Sequence, residues 1–322
     1  MSLNAEVEEK CKILRSLVDR VVQRNLTDGI LLSGGLDTSI LAYAASKYVN
    51  LKAFTCAFQG APAPDVEHAI LVAGKLGLRH YIHYFVEDEL YGAARFAIKT
   101  LRVFDPMEVR NSATIIIGLN FAKDNGAKDV MTGDGLDELM AGYPWLFKHG
   151  EKLKEELRKI WETMTFSSIP LGKAIGLEVK TPFLDPEFMD FAMKLDMQYK
   201  VREENGQKWG KWVMRKAFEE LLPKEIAWRR KDPVEVGSGT TTLPSFFNAK
   251  ISDREFNEKK KKYLQEDNVT IRDKEHLFYY EIYREEIGVP KPRDPRAKKC
   301  PQCSSNVPEN ANFCRTCGAY PV

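Results

Sequence analysis

Between Cys11 and Arg24 the apolar residues Leu14, Leu17, Val18, Val21 and Val22 recur at helical spacing, so an amphipathic helix is predicted over residues 5–24. The period then changes. Ile30, Leu31 and Leu32 form a short apolar run after Gly29, which breaks at Ser33, Gly34 and Gly35 before a second helical stretch, ILAYAASKY. A second strand is predicted over 51–58 (LKAFTCAF) and a third over 80–86 (HYIHYFV). Between them, after Pro62 and Pro64, Asp65 is the expected N-cap of a helix running to Lys75. A further strand, DVM at 129–131, runs into the acidic turn TGDGLDE. Strands separated by helices imply parallel βαβ units with right-handed crossovers. The predicted fold class is therefore α/β, a parallel sheet flanked by helices. Both glycine-rich turns then lie beyond strand C-terminal ends, where open α/β sheets bind ligands. After Tyr143 the pattern becomes charged and helical (EKLKEELRKIWETM, LDPEFMDFAMKL, KWVMRKAFEELL), which predicts helices on and beside the sheet. The run KKKKY at 259–263 reads as a solvated helix face, and the proline- and lysine-rich segment 289–299 as an extended linker. Three regions follow: a domain over 5–288, the linker, and a cysteine-rich terminus over 300–322.

Composition narrows the picture. With 322 residues and 43% hydrophobic content the chain can bury a sizeable core, and its length suggests two units. Lys and Arg total 48 against 46 Asp and Glu, so no overall basic excess argues for nucleic acid or an anionic membrane. No apolar stretch is long enough to span a bilayer, and MSLNAEVEEK lacks a signal peptide's apolar region. A cytoplasmic location and no membrane partner are the expectations.

Chemistry concentrates in three places. The string GILLSGGLDTS ends a strand in a turn of small residues that opens a helix, an arrangement whose backbone amides and helix N-terminus hold anions. The Gly-Lys-Ser/Thr ending of a P-loop is absent, and Asp37 stands where a lysine would neutralise phosphate. A carboxylate beside phosphates makes electrostatic sense as a ligand of Mg²⁺. The second place is the acidic turn, where Asp134 and Asp137 suit either Mg²⁺ coordination or proton transfer. The third is Cys300, Cys303, Cys314 and Cys317, spaced C-x2-C-x10-C-x2-C. Two such knuckles complete tetrahedral Zn²⁺ coordination with no open position, so a structural zinc ribbon is predicted.

The loop SGGLDTS resembles the pyrophosphatase loop of the ATP pyrophosphatase superfamily, and TGDGLDELMAGY, GLEVKTPFLD and KWVMRKAF resemble, in order, segments of asparagine synthetases. AWRRKDPVEVGSGT is particularly similar to β-lactam synthetases. The resemblance covers roughly residues 11–247 and implies an adenine nucleotide α-hydrolase-like fold. Ser33, Gly34, Gly35, Thr38 and Ser39 would contact ATP phosphates, and Gly133 would approach the nucleotide through its backbone. Asp37 and Asp137 would bind Mg²⁺. Asp134 falls where the family usually has Glu or Tyr, associated with proton transfer around the adenylate, and Lys231 would face the pyrophosphate.

Two departures from the family accompany these matches. The chain enters the synthetase-like region almost at once, without the glutaminase domain, so ammonia is expected from a separate protein or as free ammonia, or another amine serves. The interval between Tyr143 and Gly176 is also shorter than in the larger enzymes. The leading expectation is an ATP-dependent, AMP-forming ligase that makes an amide from a small carboxylate. RNA modification by an adenylating enzyme is the alternative, favoured by the ribbon and basic linker, with RNA as partner. A non-catalytic scaffold that keeps its nucleotide site is the third.

Overall fold

The computed structural model describes residues 3–204 and 206–322. In chain order come α1 (Leu3–Arg24), β1 (Gly29–Leu31), α2 (Leu36–Ala45), β2 (Lys52–Phe58), α3 (Pro64–Leu76), β3 (Arg79–Phe85), α4 (Glu87–Leu101), α5 (Pro106–Asp124), β4 (Asp129–Met131) and α6 (Leu136–Leu139). There follow α7 (Leu153–Thr163), α8 (Ser168–Ala174), β5 (Glu178–Lys180), α9 (Pro186–Lys194), α10 (Met197–Lys200), the hairpin β6 (Arg202–Glu204) and β7 (Gln207–Trp209), α11 (Trp212–Phe218) and α12 (Lys224–Ala227). Last are α13 (Val234–Gly237), α14 (Leu243–Lys250), α15 (Asp253–Asp267) and α16 (Lys274–Glu286). The chain divides into two compact units interleaved in sequence: Met1–Cys56, Ala63–His83 and Gly118–Pro233 form one, and Ala57–Pro62, Tyr84–Ile117 and Val234–Val322 the other.

The first unit is built on the sheet, whose strand order is β3-β2-β1-β4-β5. The β1–β2, β1–β4 and β4–β5 ladders are parallel, with Ile30 opposite Ala53 and Met131, and Val130 opposite Val179. Parallel strands covered on both faces carry continuous apolar runs, which is why ILL and VM read so plainly. The apolar stripe of α1 (Leu14, Leu17, Val18, Val21, Val22) is buried in one core with Ile40 and Leu41 of α2 and Val213 and Met214 of α11. At about 1.5–3 kcal/mol for each large aliphatic side chain removed from water, this face holds the helix in place. The chain leaves β1 toward β2 on one side while β4 lies on the other. In open α/β sheets such a reversal of strand order marks the ligand-binding position, here at the carboxyl ends of β1 and β4.

One local expectation is corrected. The N-cap of α3 is Ala63 with Pro64 in the first turn, and Asp65 lies inside that turn. Its carboxylate is used elsewhere, 2.7 Å from the Arg229 guanidinium.

The second unit has an aromatic core. Phe104 stacks on His276 at 5.2 Å and packs against Tyr280 and Tyr283. Burial pushes the His276 imidazole down to about 3, so it is a neutral core residue. In the basic run, Lys260, Lys261 and Lys262 are exposed as expected, while Tyr263 is buried and donates to Glu281 Oε1 at 2.7 Å. Segment 289–299 is bound to the terminus that follows it: the Lys298 ammonium donates to the carbonyls of Ala311 (2.9 Å) and Val322 (3.1 Å), and Asp294 N donates to Asn306 Oδ1 (2.9 Å). No helix of the described residues is long and apolar enough to cross a membrane.

Candidate nucleotide and metal sites

The turn after β1 is shaped by its own small side chains. The Ser33 amide donates to Thr38 Oγ1 (3.3 Å), Gly35 N to Ser33 Oγ (3.2 Å), and the fully buried Ser39 hydroxyl to Gly35 O (2.7 Å). Ser39 therefore braces the turn from inside. Gly34 has φ +65°, and a Cβ there would fall 2.4 Å from the Ala69 amide nitrogen, so the position requires glycine twice over. No side chain caps the N-terminus of α2, which leaves its first-turn amides available to an anion. Gly133 brings the second turn against this one: a Cβ on it would lie 3.0 Å from Asp37 Cβ and 3.3 Å from Thr38 N.

Four charged side chains meet where the two turns touch. The Lys211 ammonium is 2.7 Å from both oxygens of Asp37 and 2.6 Å from Asp137 Oδ1, and Lys231 Nζ is 3.0 Å from Asp137 Oδ2. Burial opposes ionisation of both acids. At Asp137, Lys211 and Lys231 together outweigh that and hold the carboxyl well below the usual range. At Asp37, burial prevails over Lys211, with Asp137 as a like-charged neighbour, and the carboxyl is raised. Lys231 is shifted upward despite burial because it faces Asp137 and Asp37.

The donor set suits Mg²⁺. Asp37 and Asp137 both offer hard oxygen ligands, and the buried Asp137 Oδ1 has the Lys211 ammonium at 2.6 Å as its partner. Glu138 is committed to the fold instead: its carboxylate accepts from the Tyr143 hydroxyl at 2.5 Å, and its carbonyl accepts from Trp161 Nε1 at 2.9 Å.

The cluster is held by residues around it. Arg215 is buried and donates to the carbonyls of Gly210, Ala227 and Arg229 at 2.8–3.0 Å, tying the residue before Lys211 to the segment that leads into Lys231. Arg229 in turn reaches Ser33 O (3.3 Å) and Asp65 (2.7 Å). A Cβ on Gly142 would sit 1.8 Å from Asp137 Oδ1 and 2.3 Å from Lys211 Cε. Gly142→Ala is accordingly expected to displace both side chains and weaken ATP binding at least about tenfold, the equivalent of about 1.4 kcal/mol, as read by calorimetry. Unchanged affinity would remove the cluster from the nucleotide site.

Asp134 lies on the same acidic turn, within reach of the Lys231 charge. It accepts from the Thr132 hydroxyl at 2.8 Å and from the Ser168 hydroxyl, and burial raises its carboxyl above the ordinary range. The TPFLD stretch has a structural role: Asp185 caps α9 by accepting from Glu187 N (3.0 Å) and pairs with Arg24 of α1 (2.8 Å).

In the second unit the four C-terminal thiols converge. Cys300 and Cys317 sulfurs are 3.7 Å apart, as are those of Cys303 and Cys314, and all four lie within 4.8 Å of one another. The edge of a tetrahedron with Zn–S bonds of about 2.3 Å is about 3.8 Å, whereas a disulfide needs about 2.05 Å. The cluster therefore fits Zn²⁺. It is also packed into its unit, since Phe104 N donates to Thr316 O and Arg272 to Cys317 O, both at 2.6 Å.

Sequence reasoning had singled out Asp37, Asp137, Gly133 and Lys231, which the structure brings together, and Asp134, which it places on the same acidic turn. It missed Lys211, Arg229 and the pairing role of Asp65. Lys211 opens the KWVMRKAF string, but nothing in its local pattern distinguishes it from the many surface lysines.

Residues 12–173 and 170–288 match the asparagine synthase family. Asparagine synthetase B [glutamine-hydrolyzing] of Escherichia coli (strain K12) is 31% identical over 312 residues, 88% of this chain and 55% of its own length. The glutamine-hydrolyzing asparagine synthetase of Zea mays is 32% identical over 272 residues, 76% of this chain and 46% of its own. The chain thus spans about half the length of the curated relatives it matches. Among solved structures, the U34-tRNA thiolase NcsA from Methanococcus maripaludis superposes with a TM-score of 0.28 at 13% identity, over 70% of this chain and 77% of its own, too slight a likeness to carry an argument. With a match running from the pyrophosphatase-type loop through the second acidic turn to α16, the chain belongs to the asparagine synthase family.

Proposed function

We propose that this protein is an ATP-dependent, AMP- and pyrophosphate-forming ligase that activates a small carboxylate and converts it to an amide with ammonia or another amine. The observation that carries this reading is the convergence of Asp37, Asp137, Lys211 and Lys231 beside an uncapped helix N-terminus. Ser33, Gly34, Gly35 and Thr38 receive the phosphates, Ser39 keeps the turn in shape, and Gly133 lets the nucleotide lie against the second turn. Asp37 and Asp137 hold Mg²⁺, which when bound neutralises phosphate charge and polarises the phosphoryl oxygens.

A substrate carboxylate oxygen attacks the α-phosphorus, and the bond to the bridging oxygen breaks as pyrophosphate leaves. Lys231 and Lys211 stabilise the charge that develops on that leaving group. The amine nitrogen then attacks the acyl carbon, the bond to AMP breaks, and one proton leaves the nitrogen. Asp134 takes that proton in this reading, which its buried, raised carboxyl supports. The four cysteines hold a structural Zn²⁺. A ligase that uses ATP and Mg²⁺ and carries a reduced zinc-thiolate cluster would work in the cytoplasm.

The test is exchange of labelled pyrophosphate into ATP across a panel of amino acids and other small carboxylates, with RNA as a separate arm. Exchange that requires one class of carboxylate is expected. Exchange driven by RNA alone, or by nothing in the panel, would overturn the reading.

A further inference from the structure

We propose that Lys211 is a built-in counter-ion that fills the metal position of the nucleotide-free site, so that a divalent cation enters only together with nucleotide; this rests on the Mg²⁺ placement given above. Lys211 is the bridging group of the cluster, within 2.7 Å of Asp37 and Asp137 and only 3% exposed at its side chain. Lys231 touches Asp137 alone and is 26% exposed. Each carboxylate of the cluster thus faces an ammonium group, Asp37 through Lys211 and Asp137 through both lysines.

The position is built for this residue. Lys211 has φ +53° and ψ 28°, a left-handed conformation unfavourable for a residue with a side chain, and its backbone amide is anchored on Met140 O at 2.9 Å. Its stem passes Gly142, where even one added carbon would strike Lys211 Cε. Strain and a glycine-only passage concentrated on one lysine are the marks of a functional constraint.

Placing Mg²⁺ between the same carboxylates with Lys211 still present would set a divalent cation against an ammonium in a site shielded from water. Withdrawing Lys211 without a new partner would bury an unpaired charge, which is no better. A polyphosphate removes the conflict, because it offers Lys211 an anionic acceptor as the metal takes over the carboxylates. Metal and nucleotide binding are then coupled, each raising affinity for the other by the same factor.

The experiment is Mn²⁺ binding to the full chain, followed by electron paramagnetic resonance. For the unaltered protein, Mn²⁺ is expected to bind at least about tenfold more tightly with α,β-methylene-ATP present than without it, a coupling within the usual range. Lys211→Gln, with its fold checked by circular dichroism, is expected to bind nucleotide-free Mn²⁺ about tenfold more tightly than the unaltered protein, because one ammonium no longer opposes the metal. Adding Asp37→Asn should abolish that gain. Equal Mn²⁺ affinity with and without the nucleotide analogue overturns the proposal, as does a folded Lys211→Gln that gains nothing. Should Lys211→Gln fail to fold, the comparison on the unaltered protein decides alone. Nucleotide-dependent Mn²⁺ binding without pyrophosphate exchange would sink the ligase reading and leave the counter-ion role standing.

Discussion

Asp137→Asn will lower ATP–pyrophosphate exchange by about a thousandfold, the upper range for losing one electrostatic group at a developing charge, and will also destabilise the fold. The side chain is 9% exposed and is the one group that meets both lysines, with Lys211 2.6 Å from one oxygen and Lys231 3.0 Å from the other. An amide of the same shape keeps the packing but carries no charge. Lys231 loses its only carboxylate contact in the cluster, and Lys211 keeps Asp37 alone. Breaking a buried pair by removing one partner costs about 3–5 kcal/mol, because the remaining charge stays desolvated. Two readouts separate the roles. A thermal melt reports the stability loss, and exchange measured well below the melting temperature reports the loss of metal and phosphate binding. Exchange within tenfold of the unaltered protein, in a sample that remains folded, would show that Asp137 serves only the structure. Asp37→Asn is expected to act in the same direction with a smaller stability cost, since its carboxyl is already raised by burial.

Cys303→Ser will abolish stoichiometric zinc, measured by elemental analysis, and will open residues 289–322 to proteolysis. Its own apolar core is small: within residues 300–322 the buried apolar residues besides the cysteines are Val307 and Ala319. A segment with so small a core depends on its metal to fold. The consequence spreads through its own unit, because Phe104 and Arg272 both spend hydrogen bonds on the ribbon backbone. Losing those contacts should lower the melting temperature of the second unit, and added chelator should reproduce the effect in the unaltered chain. A zinc-free protein that melts as before and resists protease would show that the thiols carry no metal-dependent role in folding. Within the same unit the Lys298 ammonium donates to the carbonyls of Ala311 and Val322, and Arg272 donates to the Cys317 carbonyl.

Much of this was legible from residue order. Each predicted strand lies within a residue or so of where it forms, because β-branched and aliphatic runs bounded by Gly, Asn and Asp leave few alternatives. The helix over 5–24 is present as α1, since its apolar residues can be buried only on one helical face. Asp65 escaped the reading for a physical reason. A carboxylate next to a helix start satisfies the local capping rule, and the competing partner, Arg229, lies more than a hundred and sixty residues away. Lys211 escaped for a similar one: a lysine in a charged helical region reads as solvent-exposed until the surrounding chain is seen to enclose it.

By itself the sequence determined the chemistry at each position: a glycine turn able to hold anions, two acidic side chains suited to a hard cation, and four thiols with zinc spacing. It also determined the alternation that makes a parallel sheet, because periodicity and turn residues act over short range. Only the tertiary structure decided which charges meet. Asp37, Asp137, Lys211 and Lys231 come from three distant segments, and their ionisation depends on burial and on each other, which no local pattern encodes. The aspartate that stood in place of a P-loop lysine does have a lysine beside it, supplied by a residue 174 positions along the chain.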